Sequence, residues 1–216
     1  MSCSMHCPLC AGAGSDFHRD RRRAYLRCGR CLLVWVPAEF LLLPEQEKAE
    51  YDLHRNRPDD PAYRGFLGRL ATPLLQRLAP GSSGLEFGCG PGPALAAMLR
   101  EAGHRLTLYD PFYFPDPGAL EDCYDFITAT EVVEHLHRPG AELQRLWTLL
   151  RPGGTLGIMT KLVRDREAFT TWHYKNDPTH VCFFSRDTWN WWAQGRAATV
   201  VFPAADVILL TKTATA

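Results

Sequence analysis

The segment GLEFGCGPG, residues 84–92, sets a short apolar run against three glycines at alternate positions, Gly88, Gly90 and Gly92. Directly behind it comes PALAAMLREAG, apolar at helical spacing and closed by Gly103. A chain that passes from strand to helix through so many glycines turns sharply and keeps its backbone bare. In an open α/β sheet such a turn lies at the carboxyl edge of the strands, where ligands bind. The alternation then repeats. HRLTLYD and YDFITATE read as strands, PGAELQRLWTLLRPGG as a helix with a Pro-Gly-Gly stop, and TLGIMTK as another strand. Strands separated by helices of this length imply a parallel sheet with right-handed crossovers. RDTWNWWAQ and ATVVFPAADVILLTK add one more helix and a terminal antiparallel pair of strands. The expected fold class is α/β, a mostly parallel sheet with helices on both faces.

Ahead of this region the chain carries a different signature. Four of its eight cysteines form two C-x-x-C pairs, Cys7/Cys10 and Cys28/Cys31, with seventeen residues between the pairs. The N-terminus has no signal-peptide core, so this spacing points to a metal site and not to a disulfide framework. Two C-x-x-C turns brought together give the all-thiolate tetrahedron that zinc prefers. A redox dithiol or an iron site with the same ligands are the alternatives. Cys3, His6 and His18 could compete as ligands, but the four thiols suffice. The module is too short to bury much apolar surface, so metal binding would supply its folding energy. CLLVWVP reads as its closing strand. Six arginines between Arg19 and Arg30 offer a phosphate-binding loop, a solvated hairpin, or partners for acidic residues of the main domain.

These features divide the 216 residues into a zinc ribbon at 1–36, a helical linker or lid at 37–80 and a larger domain at 81–216. AEFLLLPEQEKAEYDLHRN and PAYRGFLGRLATPLLQRLA read as helices, broken by RPDDP. The 24 basic and 24 acidic side chains cancel, which argues against a surface built for long nucleic acid. No apolar run approaches the roughly 18 residues that span a bilayer. A soluble cytoplasmic protein without membrane contacts is expected.

The second strand ends in LYD, eighteen residues beyond Gly92, where the Asp110 carboxylate could accept the two hydroxyls of a ribose. The order LEFGCGPG, LYDP, YDFITATEVVEHL, LLRPGG resembles the class I S-adenosylmethionine-dependent methyltransferases. The resemblance spans residues 83 to 162, more weakly to about 192. It implies a Rossmann-like sheet and a cofactor site in which Gly88, Gly90 and Gly92 line the methionine and ribose. By the same resemblance Cys89 and Thr130 belong to that site, Glu86 organises the loop, and Asp110 takes the ribose. Only PFYFPDPGALEDC separates Asp110 from Tyr124, too little for the usual helix and third strand. An abbreviated sheet edge follows, with adenine against Pro111 and Phe112. Asp116, Glu121 and Asp122 are weaker choices there.

TEVVEHLHRPG, residues 130–140, would then sit beside the sulfonium methyl. Glu131 and Glu134 are three apart and His135 is four from Glu131, so one helical face would hold all three. Three roles are open: capping a helix start, a general base at His135, or a divalent cation held with a further ligand. The cation reading takes Glu131, Glu134, His135 and, from TWHYKNDPTHVCFFS, His180. His173 is also available. E-x-x-E-H with a later H-x-x-F resembles the small-RNA 2′-O-methyltransferases and the quinone-biosynthesis O-methyltransferases, which implies Mg2+ or a similar ion there. The polar, aromatic stretch 172–184 reads as a substrate lid, and Lys161 as a group that steers an anionic substrate or is simply solvated.

Methyl transfer to a small-molecule acceptor, at oxygen by preference, is the expected function. Zinc-ribbon methyltransferases of deoxysugars have a comparable four-cysteine front end. RNA methylation through the arginine-rich ribbon is the first alternative, and a non-catalytic cofactor-binding partner protein the second.

Overall fold

The computed structural model describes residues 6–53 and 57–213, so Cys3 lies outside the described residues. Strands β1 (Gly14–Arg19) and β2 (Ala24–Cys28) pair antiparallel, Gly14 opposite Cys28 and Arg19 opposite Ala24. β3 (Val34–Trp35) adds to β2 with Leu26 opposite Trp35. The turn between β1 and β2 is tied by Asp20, whose Oδ1 accepts the backbone N–H of Arg22 and Arg23 at 2.8 and 2.9 Å.

Helix α1 (Pro44–Tyr51) is shorter than the sequence suggests, because Ala38–Phe40 forms only a 3₁₀ turn before an extended stretch. Pro44 lacks an N–H and fixes φ, so it opens a helix at little cost. Helix α2 (Pro61–Leu75) starts where expected, capped by Asp60, which accepts from the N–H groups of Ala62 and Tyr63.

The alternating region follows in order: β4 (Ser83–Phe87), α3 (Ala94–Glu101), β5 (Arg105–Tyr109), β6 (Tyr124–Thr130), α4 (Pro139–Leu149) and β7 (Leu150–Met159). Then come α5 (Arg166–Thr170), β8 (Cys182–Phe183), α6 (Arg186–Gln194), β9 (Ala198–Ala204) and β10 (Val207–Lys212). The main sheet runs β5-β4-β6-β7-β10-β9. β4 is parallel to β5 and β6, and β6 to β7, while β10 is antiparallel to both β7 and β9. This is the expected mostly parallel sheet with an antiparallel end. β5 forms the edge, and only a 3₁₀ turn at Pro117–Leu120 lies between it and β6.

Period-two alternation divides the core. Phe126, Met159, Val207 and Leu209 point to one face and meet Leu67, Leu70 and Leu74 of α2 and Leu95 and Leu99 of α3. Their neighbours Ile127, Ile158, Ile208 and Leu210 point to the other, with Leu143 and Leu146 of α4 and Trp189 and Trp192 of α6. Each of these fully buried aliphatic side chains contributes about 1.5–3 kcal/mol. The second cluster continues into the N-terminal module through Leu33, Val34 and Trp35. There β8 pairs with β3, Val34 opposite Phe183, so the small sheet runs β1-β2-β3-β8. The first cysteine turn also rests on α4. Gly140 donates its N–H to the carbonyl of Pro8 at 3.2 Å, and a Cβ there would lie 2.5 Å from the carbonyl oxygen of Leu9.

Candidate active site

A cavity of about 830 Å³ opens at the carboxyl ends of β4, β5 and β6. The loop after β4 forms one wall. Gly88 has φ +72° and Gly90 φ +61°, conformations that side-chain-bearing residues rarely adopt. A Cβ on Gly88 would strike Val132 at 2.5 Å, whereas one on Gly90 would point into open space. The loop is pinned by main-chain bonds, Gly88 N–H to the Tyr109 carbonyl at 2.8 Å, and by Asp110. One oxygen of Asp110 accepts the N–H of Gly90 at 2.9 Å. The other accepts those of Phe112 and Tyr113 at 2.9 and 3.1 Å. Asp110 thus shapes the loop, a task the sequence reading gave to Glu86, and Oδ2 retains capacity for one more donor.

Of the residues expected to meet the cofactor, Gly88, Cys89, Gly90, Asp110, Pro111 and Thr130 line this cavity together with Phe112. Burial pushes the Cys89 thiol up to about 12. Gly92 is not among the lining residues; its carbonyl accepts the N–H of Ala94 at 2.8 Å at the start of α3. Glu86 lies beneath the loop, 5% exposed, accepting the backbone N–H of Ala96, with Oε2 unpartnered among the described residues. Burial raises its carboxyl to about 8, so it is largely protonated at neutral pH. Asp116 caps the 3₁₀ turn through the N–H of Gly118, away from the cavity.

A second wall follows β6. Glu131, His135 and His180 line the cavity, but the expected helical face does not exist. Glu131 has φ +53°, and Val133–His135 is a single 3₁₀ turn, so a left-handed residue breaks the register before any α-helix can start. The turn drives Glu134 inward to full burial, whereas Glu131 stays at the rim. Ligand atoms of Glu134, His135 and His180 lie within 4.8 Å of one another, and Glu131 stands outside that group. The hydroxyl of Tyr174 joins the two carboxyls, donating to Glu134 Oε1 and lying 3.4 Å from Glu131 Oε2. Thr160 Oγ1 is 3.3 Å from the same hydroxyl. Burial raises both carboxyls, and the neighbouring Glu134 raises Glu131 further.

The two imidazoles pack edge to face, centroids 4.7 Å apart. Each bonds a backbone carbonyl through Nδ1, His135 that of Thr179 at 3.2 Å and His180 that of Tyr174 at 2.7 Å. A carbonyl only accepts, so each Nδ1 carries a proton. Burial, then the neighbouring His135, lowers His180 to about 4.

Helix α1 covers the opening through Pro44, Glu47 and Tyr51. His137 Nε2 meets Glu47 Oε1 at 2.6 Å, and Tyr113 donates to Asp52 at 2.7 Å. The 172–184 stretch, expected to be a lid, is instead mostly buried wall. Its Tyr174 and Phe183 pack with Trp172, and Phe183 also meets Tyr25 of the N-terminal module. Lys161 Nζ lies 3.1 Å from His173 Nε2. Tyr174, Tyr51 and the Glu47–His137 pair were not singled out from the sequence. A buried tyrosine between two acids is visible only once the fold brings positions 131, 134 and 174 together.

The four thiols of Cys7, Cys10, Cys28 and Cys31 lie within 4.8 Å of one another, with Cys7–Cys31 and Cys10–Cys28 sulfur separations of 3.5 and 3.4 Å. Zinc–sulfur bonds of about 2.3 Å in a tetrahedron put sulfurs about 3.8 Å apart, so the cluster fits the ion. Backbone N–H groups of Gly12, Arg30 and Cys31 point at the sulfurs. His6 and His18 lie outside the cluster.

A glycine turn at the carboxyl edge of a β5-β4-β6-β7-β10-β9 sheet, opening on a deep cavity, defines the fold of the S-adenosylmethionine-dependent methyltransferases. A methyltransferase-domain family model matches residues 60–201, and the chain belongs to that family. A biotin biosynthesis bifunctional protein, BioCD, from Bordetella avium is 33% identical over 128 residues. That match takes in 50% of this chain but only 26% of the relative, so the chain spans about a quarter of that protein's length. Among solved structures, Burkholderia thailandensis 1,6-didemethyltoxoflavin-N1-methyltransferase with bound 1,6-didemethyltoxoflavin and S-adenosylhomocysteine superposes with TM-score 0.51 at 17% identity. It covers 92% of this chain and 99% of its own. Magnesium protoporphyrin IX methyltransferase from Synechocystis PCC 6803, with bound S-adenosylhomocysteine, gives TM-score 0.52 at 11% identity, over 70% and 84%. No helix among the described residues is long and apolar enough to cross a membrane.

Proposed function

We propose that the protein transfers a methyl group from S-adenosylmethionine to a small-molecule acceptor, oxygen being the favoured atom. One observation carries this: a single cavity of about 830 Å³ runs from the bare glycine loop to the Glu131, His135 and His180 wall. S-Adenosylmethionine brings an already activated methyl, so alignment is the protein's main task. Gly88, Gly90 and Asp110 would hold the adenosyl group and methionine, and α1 would exclude water. The acceptor's proton would pass to an imidazole of the second wall. His180 stays neutral at pH 7 and keeps Nε2 unprotonated. In a second reading the imidazoles are ligands and not the base: a divalent cation held by Glu134, His135 and His180 would acidify the acceptor hydroxyl, whose proton would pass to water; carbonyl-anchored imidazoles suit such a site.

We assign the four thiols to structural zinc. An RNA acceptor is less well supported, because Arg22 and Arg23 of the basic hairpin donate to the protein's own carbonyls. Calorimetry with S-adenosylhomocysteine tests the assignment. The intact protein should bind one equivalent, Gly90→Arg should bind none, and Asp110→Ala should weaken binding at least tenfold. Absence of binding by the intact protein with zinc present removes the proposal.

A further inference from the structure

The backbone from Lys175 to His180 has no regular ladder to satisfy its carbonyls beyond the short 3₁₀ turn at His173–Asn176. The carbonyls need donors, and apart from the His180 N–H, 3.3 Å from the Asp177 carbonyl, these come from outside the segment. The guanidinium of Arg23 donates to the carbonyls of Lys175 at 2.5 Å, Asp177 at 3.0 Å, Pro178 at 3.1 Å and His180 at 3.0 Å. Arg22 donates to that of Asn176 at 3.1 Å. The remaining carbonyl in the run, Thr179, takes the Nδ1–H of His135.

We infer that Arg23 is a positioning residue for the acceptor wall: its side chain makes most of the contacts by which the N-terminal module fixes the backbone that carries Tyr174 and His180. Arg23 is 8% exposed and makes no ion pair among the described residues, so its charge is balanced by carbonyl dipoles. A planar fork with five donors can gather several carbonyls at once; a lysine ammonium, a point charge on a flexible stem, cannot. The fork is itself held. Asp20 accepts the Arg23 backbone N–H at 2.9 Å, and its other oxygen pairs with Lys175 Nζ at 2.8 Å and with the Tyr25 hydroxyl at 3.1 Å. With the carbonyls clamped, the Tyr174 carbonyl stands where His180 Nδ1–H meets it, which orients the imidazole in the cavity wall with Nε2 3.7 Å from Asp177 Oδ2. The metal ribbon is therefore a brace for the cavity wall and not only a stable appendage. The catalytic importance of that wall rests on the methyltransferase assignment; the brace itself does not.

The test compares the full zinc-loaded chain with Arg23→Lys and, as a control in the same hairpin, Arg21→Lys, whose side chain is exposed. In nitrogen-15 histidine spectra the protected Nδ1–H signal of His180 should be present in the unaltered protein and in Arg21→Lys, and lost in Arg23→Lys. Amide exchange over residues 175–181 should accelerate at least tenfold in Arg23→Lys alone. S-Adenosylhomocysteine affinity, read on the glycine-loop wall, should change less than twofold. A retained His180 signal with unchanged exchange overturns the inference, as does a loss shared equally with Arg21→Lys. Should Arg23→Lys fail to fold, Asp20→Asn slackens the same turn while keeping the guanidinium, and unchanged exchange there overturns it too. If the unaltered protein binds no S-adenosylhomocysteine, the methyltransferase proposal falls while the spectra and exchange rates still decide the brace.

Discussion

On the glycine-loop wall of the cavity the groups at work are main-chain N–H donors, whereas on the wall after β6 they are buried side chains. Asp110 alone draws three backbone N–H groups, from Gly90, Phe112 and Tyr113, and the loop needs little else. The second wall depends on Glu131, Glu134, Tyr174, His135 and His180, contributed by segments 40 or more residues apart and braced from the N-terminal module. A wall made of backbone is fixed by local sequence, and at Gly88 it has no room for a Cβ. One made of side chains is fixed by distant packing, and its protonation state is adjustable.

If that contrast is right, the largest single effect belongs to the backbone wall. Gly88→Ala places a Cβ at φ +72° and 2.5 Å from Val132. Left-handed strain of about 1–2 kcal/mol adds to overpacking of about 1–3 kcal/mol. Chemical denaturation should show a loss of about 2–5 kcal/mol, and S-adenosylhomocysteine affinity should fall more than tenfold. A variant with unchanged stability would show that the loop moves freely, and the contrast between the walls would fail.

The next effect separates a lone buried acid from a coupled pair. Glu86 has no acidic neighbour on its side of the loop that raises it; burial does so, to about 8 against an ordinary 4.5. Its neutral form is favoured in the folded protein, so its contribution to stability is fully present below about pH 4.5. It declines as pH rises and is exhausted once pH passes about 8. Unfolding measured from pH 5 to 9 should show this loss, on the order of 2–4 kcal/mol, and Glu86→Gln should reduce the slope, leaving the part that the raised carboxyls of Glu131 and Glu134 contribute. His180, lowered to about 4, acts in the opposite sense: its contribution is complete above about pH 6.5 and is lost as pH falls through 4. A slope unchanged in Glu86→Gln would assign the whole alkaline loss to the Glu131–Glu134 pair.

The same division explains what could be read from the chain. The glycine loop, Asp110, the short edge after β5 and the four thiols are contiguous signals, each decided within about thirty residues, and all appear in the fold where the pattern puts them. The cluster after β6 was legible as chemistry but not as shape. Counting along an ideal helix placed Glu131, Glu134 and His135 on one face, yet positive φ at Glu131 and a 3₁₀ turn sent Glu134 inward alone. Arg23, Tyr174 and the Glu47–His137 contact left no local trace. Their partners lie 152, 40 and 90 positions away, and a polar side chain gives no sign in sequence of which distant carbonyl or carboxyl it will meet. The aromatic stretch at 172–184 looked like a lid because its partners, Tyr25 and the small sheet, belong to a module that sequence alone keeps separate.

The smallest effect tests whether the second wall is as adjustable as its composition implies. Tyr174→Phe removes one hydroxyl, which bonds Glu134 and lies 3.4 Å from Glu131, and leaves the ring packed 5.1 Å from Trp172. Two buried carboxyls then lose their shared donor, a deficit of about 1–2 kcal/mol. Glu134 Oε2 and Glu131 Oε1 already lack partners among the described residues, and the Thr160 hydroxyl is the neighbour left to make up part of the loss. The hydroxyl favours the ionised form of Glu134, so without it the pair holds its proton to higher pH. Difference infrared titration of the carboxyl stretch should therefore move alkaline in Tyr174→Phe, with S-adenosylhomocysteine affinity within twofold of the unaltered protein. A fall in cofactor affinity comparable to that of Gly88→Ala would mean that the two walls are one mechanical unit, and that the backbone loop takes its shape from the side chains across the cavity.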